Sequence, residues 1–306
     1  MAEEKSLICP LCASRVDRSS IAGDFVYGGS AAQKFYGCEV CGVAFLSPAM
    51  SADDEKRFYA KEFEKFMENR SGKDLDWSGP EAHIRSNEKQ YERRIRFFRD
   101  LIAPGKRVLE LGCSSGFMLL PVRELGASVA GVEPSGGFTS FLRSKGVAVY
   151  DSIESMNRTG KEAPFDLVLH FFVLEHMRDP AGFLRDALSC VSDGGSMVFE
   201  VPSRDDPLIT IYDIPAFRKF YWSVAHHYYF NRRSLEYLLG KVGAEYEIFP
   251  EQRYDISNHF TWAIEGKPGG QGKYSQAFTK EAEAAYRDSM IRTGHCDTLV
   301  VRMRKA

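Results

Sequence analysis

Residues 108–116 read Val-Leu-Glu-Leu-Gly-Cys-Ser-Ser-Gly, and this stretch decides the fold. An apolar strand ends in an acidic residue and breaks into a glycine loop, and a helical stretch follows over 117–125. A strand, a loop and a helix in this order are typical of sites that bind a nucleotide-like cofactor. Gly112 and Gly116 can take backbone conformations closed to other residues, and Glu110 offers a carboxylate at the carboxyl end of the strand.

The loop spacing is E-x-G-x-x-x-G and not the G-x-G-x-x-G that places a pyrophosphate on a helix N-terminus. An acid in this loop suits a ligand with a cationic amine and no diphosphate, such as S-adenosylmethionine. A second predicted strand, 128–132, ends in Glu133, where a carboxylate can accept both hydroxyls of a ribose. The glycines alone would also fit an ordinary strand-to-helix turn, but the second acid in register favours a cofactor site.

The segment 106–201 resembles a class I S-adenosylmethionine-dependent methyltransferase. The resemblance extends to Phe-Asp-Leu-Val-Leu at 165–169, Val-Leu-Glu-His at 173–176 with Asp179-Pro180, and Gly194-Gly195 before a strand over 196–201. It implies an α/β fold, a Rossmann-like seven-stranded sheet with helices on both faces. It also implies a set of cofactor-binding residues: Glu110, Gly112, Cys113, Gly116, Glu133, Pro134, Ser152, Ile153, His170 and Phe171.

Two features of this segment, a cysteine and a Glu-His pair, permit a second interpretation. Cys113 could be redox-active, but a small buried thiol fits the loop better. Glu175 and His176 look catalytic as a pair, and they could equally cap the next helix or line the mouth of the cofactor site.

Two C-x-x-C pairs near the N-terminus predict a structural zinc site. Residues 13–37 separate the pairs, which supply four thiolates, Cys9, Cys12, Cys38 and Cys41. Two disulfides or a redox couple are the alternatives. Four protein ligands leave no open position for chemistry, so the zinc is expected to fold this short segment. Zinc ribbons also bind nucleic acid, yet residues 1–60 carry about as many acids as bases, which argues against that use.

Composition limits the class of partner. At 306 residues with 44% hydrophobic residues, the chain can hold one large α/β domain and a small accessory module. A formal net charge of -2 argues against bulk nucleic acid or an anionic membrane surface. No apolar run reaches membrane-spanning length, and no secretory signal pattern opens the chain. Seven cysteines with zinc-like spacing favour a reducing cytoplasm, and the sequence does not fix the oligomeric state.

Three regions are predicted: a zinc-ribbon module over 1–50, a helical linker or lid over 51–90, and a methyltransferase domain over 91–306. Within the linker, 71–80 is rich in Gly, Asp and Ser and is predicted to be a mobile segment over the cofactor cleft. Residues 91–102 predict a helix that enters the first strand of the large sheet. Its four arginines, at 93, 94, 96 and 99, are expected to form a solvated face.

Substrate-side insertions are predicted near 205–230 and 252–296. The segment His226-His227-Tyr228-Tyr229-Phe230 resembles the H-x-x-[FY]-F segment of methyltransferases paired with an N-terminal zinc module, some of which modify nucleotide-linked sugars or glycans. In C-methylating members a Glu precedes the matching His. Ala225 stands there in this chain, which favours O-methylation.

A neutral histidine can take the proton of a hydroxyl as methyl transfer proceeds, so the candidate bases are His226, then His227, then His176. A structural role for each remains open. The insertion over 252–270 resembles an N-H-x-x-W…G-K-P-G-G segment of bacterial glycan-associated methyltransferases, and Arg253 or Lys267 could supply a cation for a phosphate. The predicted substrate-binding residues are Tyr229, Arg253, Tyr254, Asn258, His259 and Trp262.

The sequence thus predicts a methyltransferase that uses S-adenosylmethionine and structural Zn²⁺ to methylate a hydroxyl of a sugar nucleotide, glycan or other small molecule. One alternative is methylation of a structured RNA with the zinc ribbon as its reader. Another is a zinc-ribbon interaction protein whose cofactor fold has lost catalysis.

Overall fold

The computed structural model describes residues 6–71, 76, 78–160, 162 and 164–305. The described residues form these strands: β1 (Ser6–Ile8), β2 (Arg15–Asp17), β3 (Ile21–Gly23), β4 (Lys34–Gly37), β5 (Ala44–Ser47), β6 (Arg107–Leu111), β7 (Ser128–Val132), β8 (Ala148–Tyr150), β9 (Phe165–Phe171), β10 (Val191–Pro202), β11 (Tyr228–Tyr229), β12 (Glu245–Glu251) and β13 (Thr298–Arg304).

The α-helices lie between them: α1 (Ala52–Lys61), α2 (Phe63–Ser71), α3 (Pro80–Ser86), α4 (Glu88–Ile95), α5 (Leu119–Glu124), α6 (Gly136–Ser144), α7 (Ile153–Thr159), α8 (Pro180–Ser189), α9 (Pro207–Thr210), α10 (Pro215–Tyr221), α11 (Arg232–Gly240), α12 (Ile256–Glu265) and α13 (Lys280–Thr293). Short 3₁₀ turns cover Arg99–Leu101 and Leu174–His176.

The large sheet has seven strands in the order β12-β13-β10-β9-β6-β7-β8. Neighbours from β10 to β8 run parallel, and β13 is antiparallel to both β10 and β12. The chain order therefore reverses between β6 and β9, and open α/β sheets bind ligands beyond the carboxyl ends of the strands at such a point. The predicted seven-stranded Rossmann-like sheet is confirmed.

Apolar residues alternate between the two faces of this sheet. Leu109 packs in a cluster with Leu184 of α8, whereas the adjacent Val108 packs in a second cluster with Met118 and Val122 beside α5. Central parallel strands carry apolar residues on both faces because helices cover both. Side-chain caps fix where several of these helices begin, including the capping box of Asn231 at α11.

The N-terminal segment forms a two-stranded antiparallel sheet, β1-β2, but it does not form its larger sheet alone. Its four-stranded sheet has the order β11-β5-β4-β3, and the edge strand β11 comes from the segment that follows the predicted bases. Phe35 of β4 lies 5.1 Å from the rings of both Trp222 and Tyr229. The predicted 1–50 module is therefore packed into the larger domain through strand pairing and aromatic contacts.

The predicted continuous helix over 91–102 is wrong in its second half, because α4 ends at Ile95 and a 3₁₀ turn follows. The predicted solvated arginine face is also wrong in part. Arg96 and Arg99 are exposed, but Arg94 is only 5% exposed and bonds Glu200 of β10 through Nε, at 2.5 Å. Arg93 reaches the same carboxylate at 2.8 Å. The buried acid at the sheet attracts both arginines inward.

Glu200 is completely buried, and its two arginine partners determine its ionisation. Burial by itself raises the pKa of this carboxyl, but the positive charges of Arg93 and Arg94 outweigh burial and lower the pKa to about 2. A carboxyl whose pKa falls on folding stabilises the folded state above its ordinary pKa of 4.5. That contribution is lost as the pH falls through about 2.

We predict that Glu200→Gln lowers the free energy of unfolding by about 3 kcal/mol at pH 7, because it leaves two buried guanidinium groups without their counter-charge. Urea denaturation followed by circular dichroism measures the loss. The matched control is Glu154→Gln, which breaks the exposed Arg158–Glu154 pair and should leave the denaturation midpoint unchanged. Equal midpoints for Glu200→Gln and the control would contradict this account.

Candidate active site

The glycine loop after β6 adopts the backbone that its sequence predicts. Gly112 and Gly116 have φ of 73° and 79°, in the left-handed region that favours glycine. The amides of Gly112 and Cys113 donate to the carbonyl oxygen of Val132 at 2.8 and 3.1 Å, which ties the loop to the end of β7. A Cβ on Gly112 would lie 2.7 Å from Val173, so this position also accommodates the turn after β9.

Glu133 lies at the carboxyl end of β7, as predicted. One carboxylate oxygen accepts the amide of Ser114 and the other accepts the amide of Ser135, both at 2.8 Å. The side chain is 8% exposed. Two backbone donors from different segments therefore orient this carboxylate toward the loop.

Glu110 is 2% exposed, and its Oε2 has no hydrogen-bond partner among the described residues. Burial raises the pKa of Glu110 well above its ordinary value, while the charge of Arg94 opposes the rise. A buried carboxylate oxygen without a donor is costly. A ligand that brings a cationic amine to this edge would satisfy it, so the residues present fit S-adenosylmethionine.

The sequence analysis missed His83, which α3 places against the glycine loop. Its Nδ1 lies 2.8 Å from Oγ of Ser115, and its ring contacts Phe117 and Phe138 with centroids 5.9 and 5.3 Å apart. Burial lowers the pKa of His83 to about 4, so the ring is neutral at pH 7. A single histidine in a charged stretch gave no motif to find. Half of the predicted mobile segment over 71–80, namely 72–75 and 77, falls outside the described residues.

Other predicted cofactor residues make structural contacts. Ser152 caps α7 in a capping box with Ser155, and Ile153 packs against the main apolar cluster. Pro134 is exposed beside Glu133, and Cys113 is a buried thiol, as the structural interpretation expected. These positions are compatible with a cofactor at the edge, and their roles stay predictions.

His170 and Phe171 are core residues. The His170 ring stacks on Phe199 at 4.6 Å and neither of its nitrogens has a hydrogen-bond partner in the described chain. Phe171 packs in the opposite apolar cluster. Alternation along β9 points the two side chains to the two faces of the sheet. Phe172, which the sequence analysis missed, is the residue at the edge, with φ of 57°.

Two of the three predicted bases lie together. The rings of His176 and His226 are 4.7 Å apart, and with Glu175 they present ligand-type atoms within 4.8 Å of one another. Nδ1 of His176 lies 2.8 Å from the carbonyl oxygen of Ala225 and 2.9 Å from the Tyr59 hydroxyl. His227 instead bonds Glu55 of α1 through Nε2, at 2.9 Å.

Glu175 and His226 are buried without partners for their functional atoms. Both carboxylate oxygens of Glu175 and Nδ1 of His226 lack a hydrogen-bond partner within the described residues. Burial raises the pKa of Glu175 to about 8 and holds the pKa of His226 well below its usual range. Both groups are therefore neutral at pH 7, and they face a polar site that a bound molecule would complete.

Two predicted substrate residues belong to the core. Trp262 is 4% exposed and lies against Phe217 and Phe220, with ring centroids at 5.0 and 4.9 Å, so the predicted sugar-stacking face is covered. The segment is helix α12, which begins at the Asp255 cap and ends at Glu265, and Trp262 lies on its buried face beside Asn258 and Thr261. Tyr229 is 1% exposed and its hydroxyl donates to the Tyr221 carbonyl.

The other predicted substrate residues differ in their burial and in their contacts. His259 is buried, with Nδ1 2.5 Å from the Tyr286 hydroxyl, and Asn258 is buried with an unpartnered Oδ1 in the described structure. Arg253 lies between two rings, 4.6 Å from Phe172 and 4.5 Å from Tyr254. Arg253 and Tyr254 are therefore the predicted substrate residues that reach the same edge as Phe172.

The four N-terminal cysteines converge as their spacing predicts. Sγ of Cys9 lies 3.8 Å from that of Cys41, and Sγ of Cys12 lies 3.5 Å from that of Cys38. All four are free thiols. Ligands at about 2.3 Å around a tetrahedral zinc ion would place sulfurs about 3.8 Å apart, so the cluster fits the metal.

Curated relatives and a solved structure resemble the chain. The ubiquinone biosynthesis O-methyltransferase of Maricaulis maris is 30% identical over 149 residues, which cover 42% of this chain and 58% of the relative. That of Rhizobium rhizogenes is 35% identical over 105 residues, with 33% and 42% covered. The chain thus spans about half the length of the curated relatives it matches.

Magnesium protoporphyrin IX methyltransferase from Synechocystis PCC 6803, solved with bound SAH, superimposes with a TM-score of 0.50 at 10% identity. The match covers 83% of this chain and 99% of that one, and it shows a shared fold.

A family model described as a methyltransferase domain matches residues 82–247, just over half of the chain. The match spans the glycine loop, Glu133 and the Glu175–His226 region whose geometry is given above. The chain therefore belongs to the S-adenosylmethionine-dependent methyltransferases of class I.

Proposed function

We propose that the protein transfers a methyl group from S-adenosylmethionine to a hydroxyl of a small acceptor, and that Glu175 and His226 handle the proton. The observation that carries the proposal is the buried pair of unpartnered groups, Glu175 and His226, at the sheet edge that also holds the glycine loop and Phe172. The relatives compared above are named ubiquinone biosynthesis O-methyltransferases, and these names support a hydroxyl as the methylated group.

The cofactor, when bound, supplies an electrophilic methyl group on a sulfonium. Glu110 and Glu133 then orient it from the ends of β6 and β7, and His83 with its surrounding rings excludes water from the loop. Nδ1 of His226 would accept the proton that the acceptor's hydroxyl gives up when its oxygen is methylated. An ionised Glu175 stabilises the resulting imidazolium.

The acceptor that we propose first is a sugar nucleotide or glycan intermediate. The resemblance of the 226–230 segment supports this choice. Burial of Trp262 removes the predicted stacking face, so recognition of a sugar would depend on Arg253, Tyr254 and Phe172 instead. Among the described residues no helix is both long and apolar enough to cross a membrane. The predicted cytoplasmic location stays a prediction.

We also propose that the four N-terminal thiolates hold one structural zinc ion. Their sulfur separations and free state support it, and four protein ligands leave no open position for a substrate. The ion would stabilise the turns that carry Cys9, Cys12, Cys38 and Cys41, and through β5 it would stabilise the pairing with β11.

Glu133→Ala should weaken S-adenosylmethionine binding at least tenfold, about 1.4 kcal/mol, because the loop amide of Ser114 and the amide of Ser135 lose their acceptor. Isothermal titration calorimetry measures the change. Glu124→Ala, at an exposed position of α5, serves as the control and should bind like the wild type. Unchanged affinity in Glu133→Ala would show that β7 does not place this acid at the cofactor.

Zinc removal should lower the thermal midpoint and expose the segment around β11. Native mass spectrometry should find one zinc ion per chain, and a chelator should release it together with a loss of Tm in differential scanning fluorimetry. Hydrogen exchange should then rise at 226–230 as well as at the cysteines. Two intact disulfides, recognised by a mass lower than that of the four thiols, would refute the metal assignment.

Turnover should rise with pH and level off above about 8, because burial raises the pKa of Glu175 to about 8 and the carboxylate must be ionised to stabilise the imidazolium. Production of S-adenosylhomocysteine in the presence of a panel of sugar nucleotides and other small hydroxyl compounds measures the rate. Glu175→Gln should abolish the rise, and His226→Gln should cost roughly a hundredfold or more.

His227→Gln is the matched control for this profile, because its partner is Glu55, and it should retain the pH dependence. A profile that keeps its rise near pH 8 in Glu175→Gln would remove Glu175 from the mechanism.

A further inference from the structure

Arg253 brings a half-buried positive charge to the edge where the acceptor is proposed to bind. It lies two residues after the end of β12, and its guanidinium lies between the rings of Phe172 and Tyr254. Its Nε is buried without a hydrogen-bond partner among the described residues, and no carboxylate of the described chain forms an ion pair with it. Charges withdrawn from water are normally paired, but this guanidinium has no direct counter-ion among the described residues.

The acids around Arg253 are already occupied. Asp297 accepts the amides of Arg253 and Tyr254 and the side-chain amide of Gln252. The carboxylate of Glu200 is taken by Arg93 and Arg94. Burial lowers the pKa of Arg253, but Tyr254 and the acids Asp297, Glu200 and Asp206 outweigh burial and hold the pKa above its usual value, so the guanidinium stays charged. Because Asp297 and Glu200 bond other groups, the donors of the Arg253 guanidinium have no carboxylate partner among the described residues.

The position of Arg253 points to the acceptor side of the edge. Its ring contact, Phe172, is the first residue after β9, and the next turn carries Glu175. The charge of Arg253 acts on Glu175 and counteracts the burial that raises the pKa of that carboxyl. Arg70 of α2 acts on the same carboxyl, but its Nη2 is engaged by the carbonyl oxygens of Phe220 and Tyr221.

We propose that Arg253 binds a compact oxyanion, a phosphate or a carboxylate, that the acceptor carries close to the hydroxyl to be methylated. The planar guanidinium presents a fork of donors that matches either group, and the two rings hold it in a fixed plane. This inference rests on the proposed function for the identity of the acceptor. It deepens that proposal, because it restricts the acceptor to an anion.

The test uses calorimetry on the full chain loaded with S-adenosylhomocysteine, with three charged probes and their neutral counterparts. The pairs are phenyl phosphate and phenol, benzoate and benzamide, and uridine diphosphate and uridine. We expect the wild type to bind at least one charged probe tenfold or more tightly than its neutral counterpart. The probe that shows the preference distinguishes a phosphate from a carboxylate.

Arg253→Gln should remove the preference. Arg253→Lys, which keeps the charge and the fold but loses the planar fork, should reduce it at least threefold. Arg158→Gln, at an exposed arginine, is the control and should keep it. Equal binding of charged and neutral probes by the wild type, or an unchanged preference in both Arg253 variants, overturns the proposal.

Binding of S-adenosylhomocysteine itself separates the two proposals. Loss of that binding in the Arg253 variants would place the residue at the cofactor and overturn the anion site. Failure of the wild type to bind S-adenosylhomocysteine would contradict the proposed function, and the probes would then be measured on the free protein, where the same preference still decides the role of Arg253.

Discussion

The buried ion pair between Arg94 and Glu200 holds the cofactor edge together. It joins α4 to β10, and α3, which directly precedes α4, covers the glycine loop with His83. The Arg94 guanidinium also lies 4.5 Å from the ring of Phe171 and 5.4 Å from that of Phe172. Because a lone buried charge costs several kcal/mol, this pair resists the movement of α4 away from the sheet. The ion pair therefore also helps to keep His83, on the preceding helix, over the loop.

The positions of His226 and Glu175 also depend on the N-terminal segment that carries the four cysteines. β11 completes the small sheet beside β5 and follows directly after His226 and His227. The amide of His227 donates to the carbonyl oxygen of Glu175 at 2.8 Å, so the same backbone also contacts the turn after β9. A structural ion in the small sheet would therefore stabilise the segment that carries His226 without touching any substrate.

The cofactor edge could be predicted from the sequence because its signals are local. Gly112, Gly116 and Glu133 each act through a turn or strand end that a few neighbouring residues define. Arg94 could not be placed in this way, since its inward direction depends on an acid on a strand far along the chain. Trp262 was misassigned for a related reason. An aromatic residue beside polar ones has the same local pattern on an exposed loop as on the buried face of a helix.

For Glu175 and His226, the sequence motif and the three-dimensional structure give different answers about whether a carboxylate lies near the histidine. Ala225 stands where C-methylating relatives of the 226–230 segment carry a Glu, and by sequence this removes a carboxylate from the neighbourhood of His226. In space the carboxylate is present, because the turn after β9 brings Glu175 to the same histidine. The absence of an acid at 225 therefore does not by itself distinguish oxygen from carbon as the methylated atom. The distinction depends on the acceptor: a hydroxyl needs a base only as its oxygen attacks, whereas a carbon must lose its proton before it can. For a carbon acceptor, an ionised Glu175 would be needed to form the nucleophile itself, so the loss in Glu175→Gln would be much deeper than for a hydroxyl.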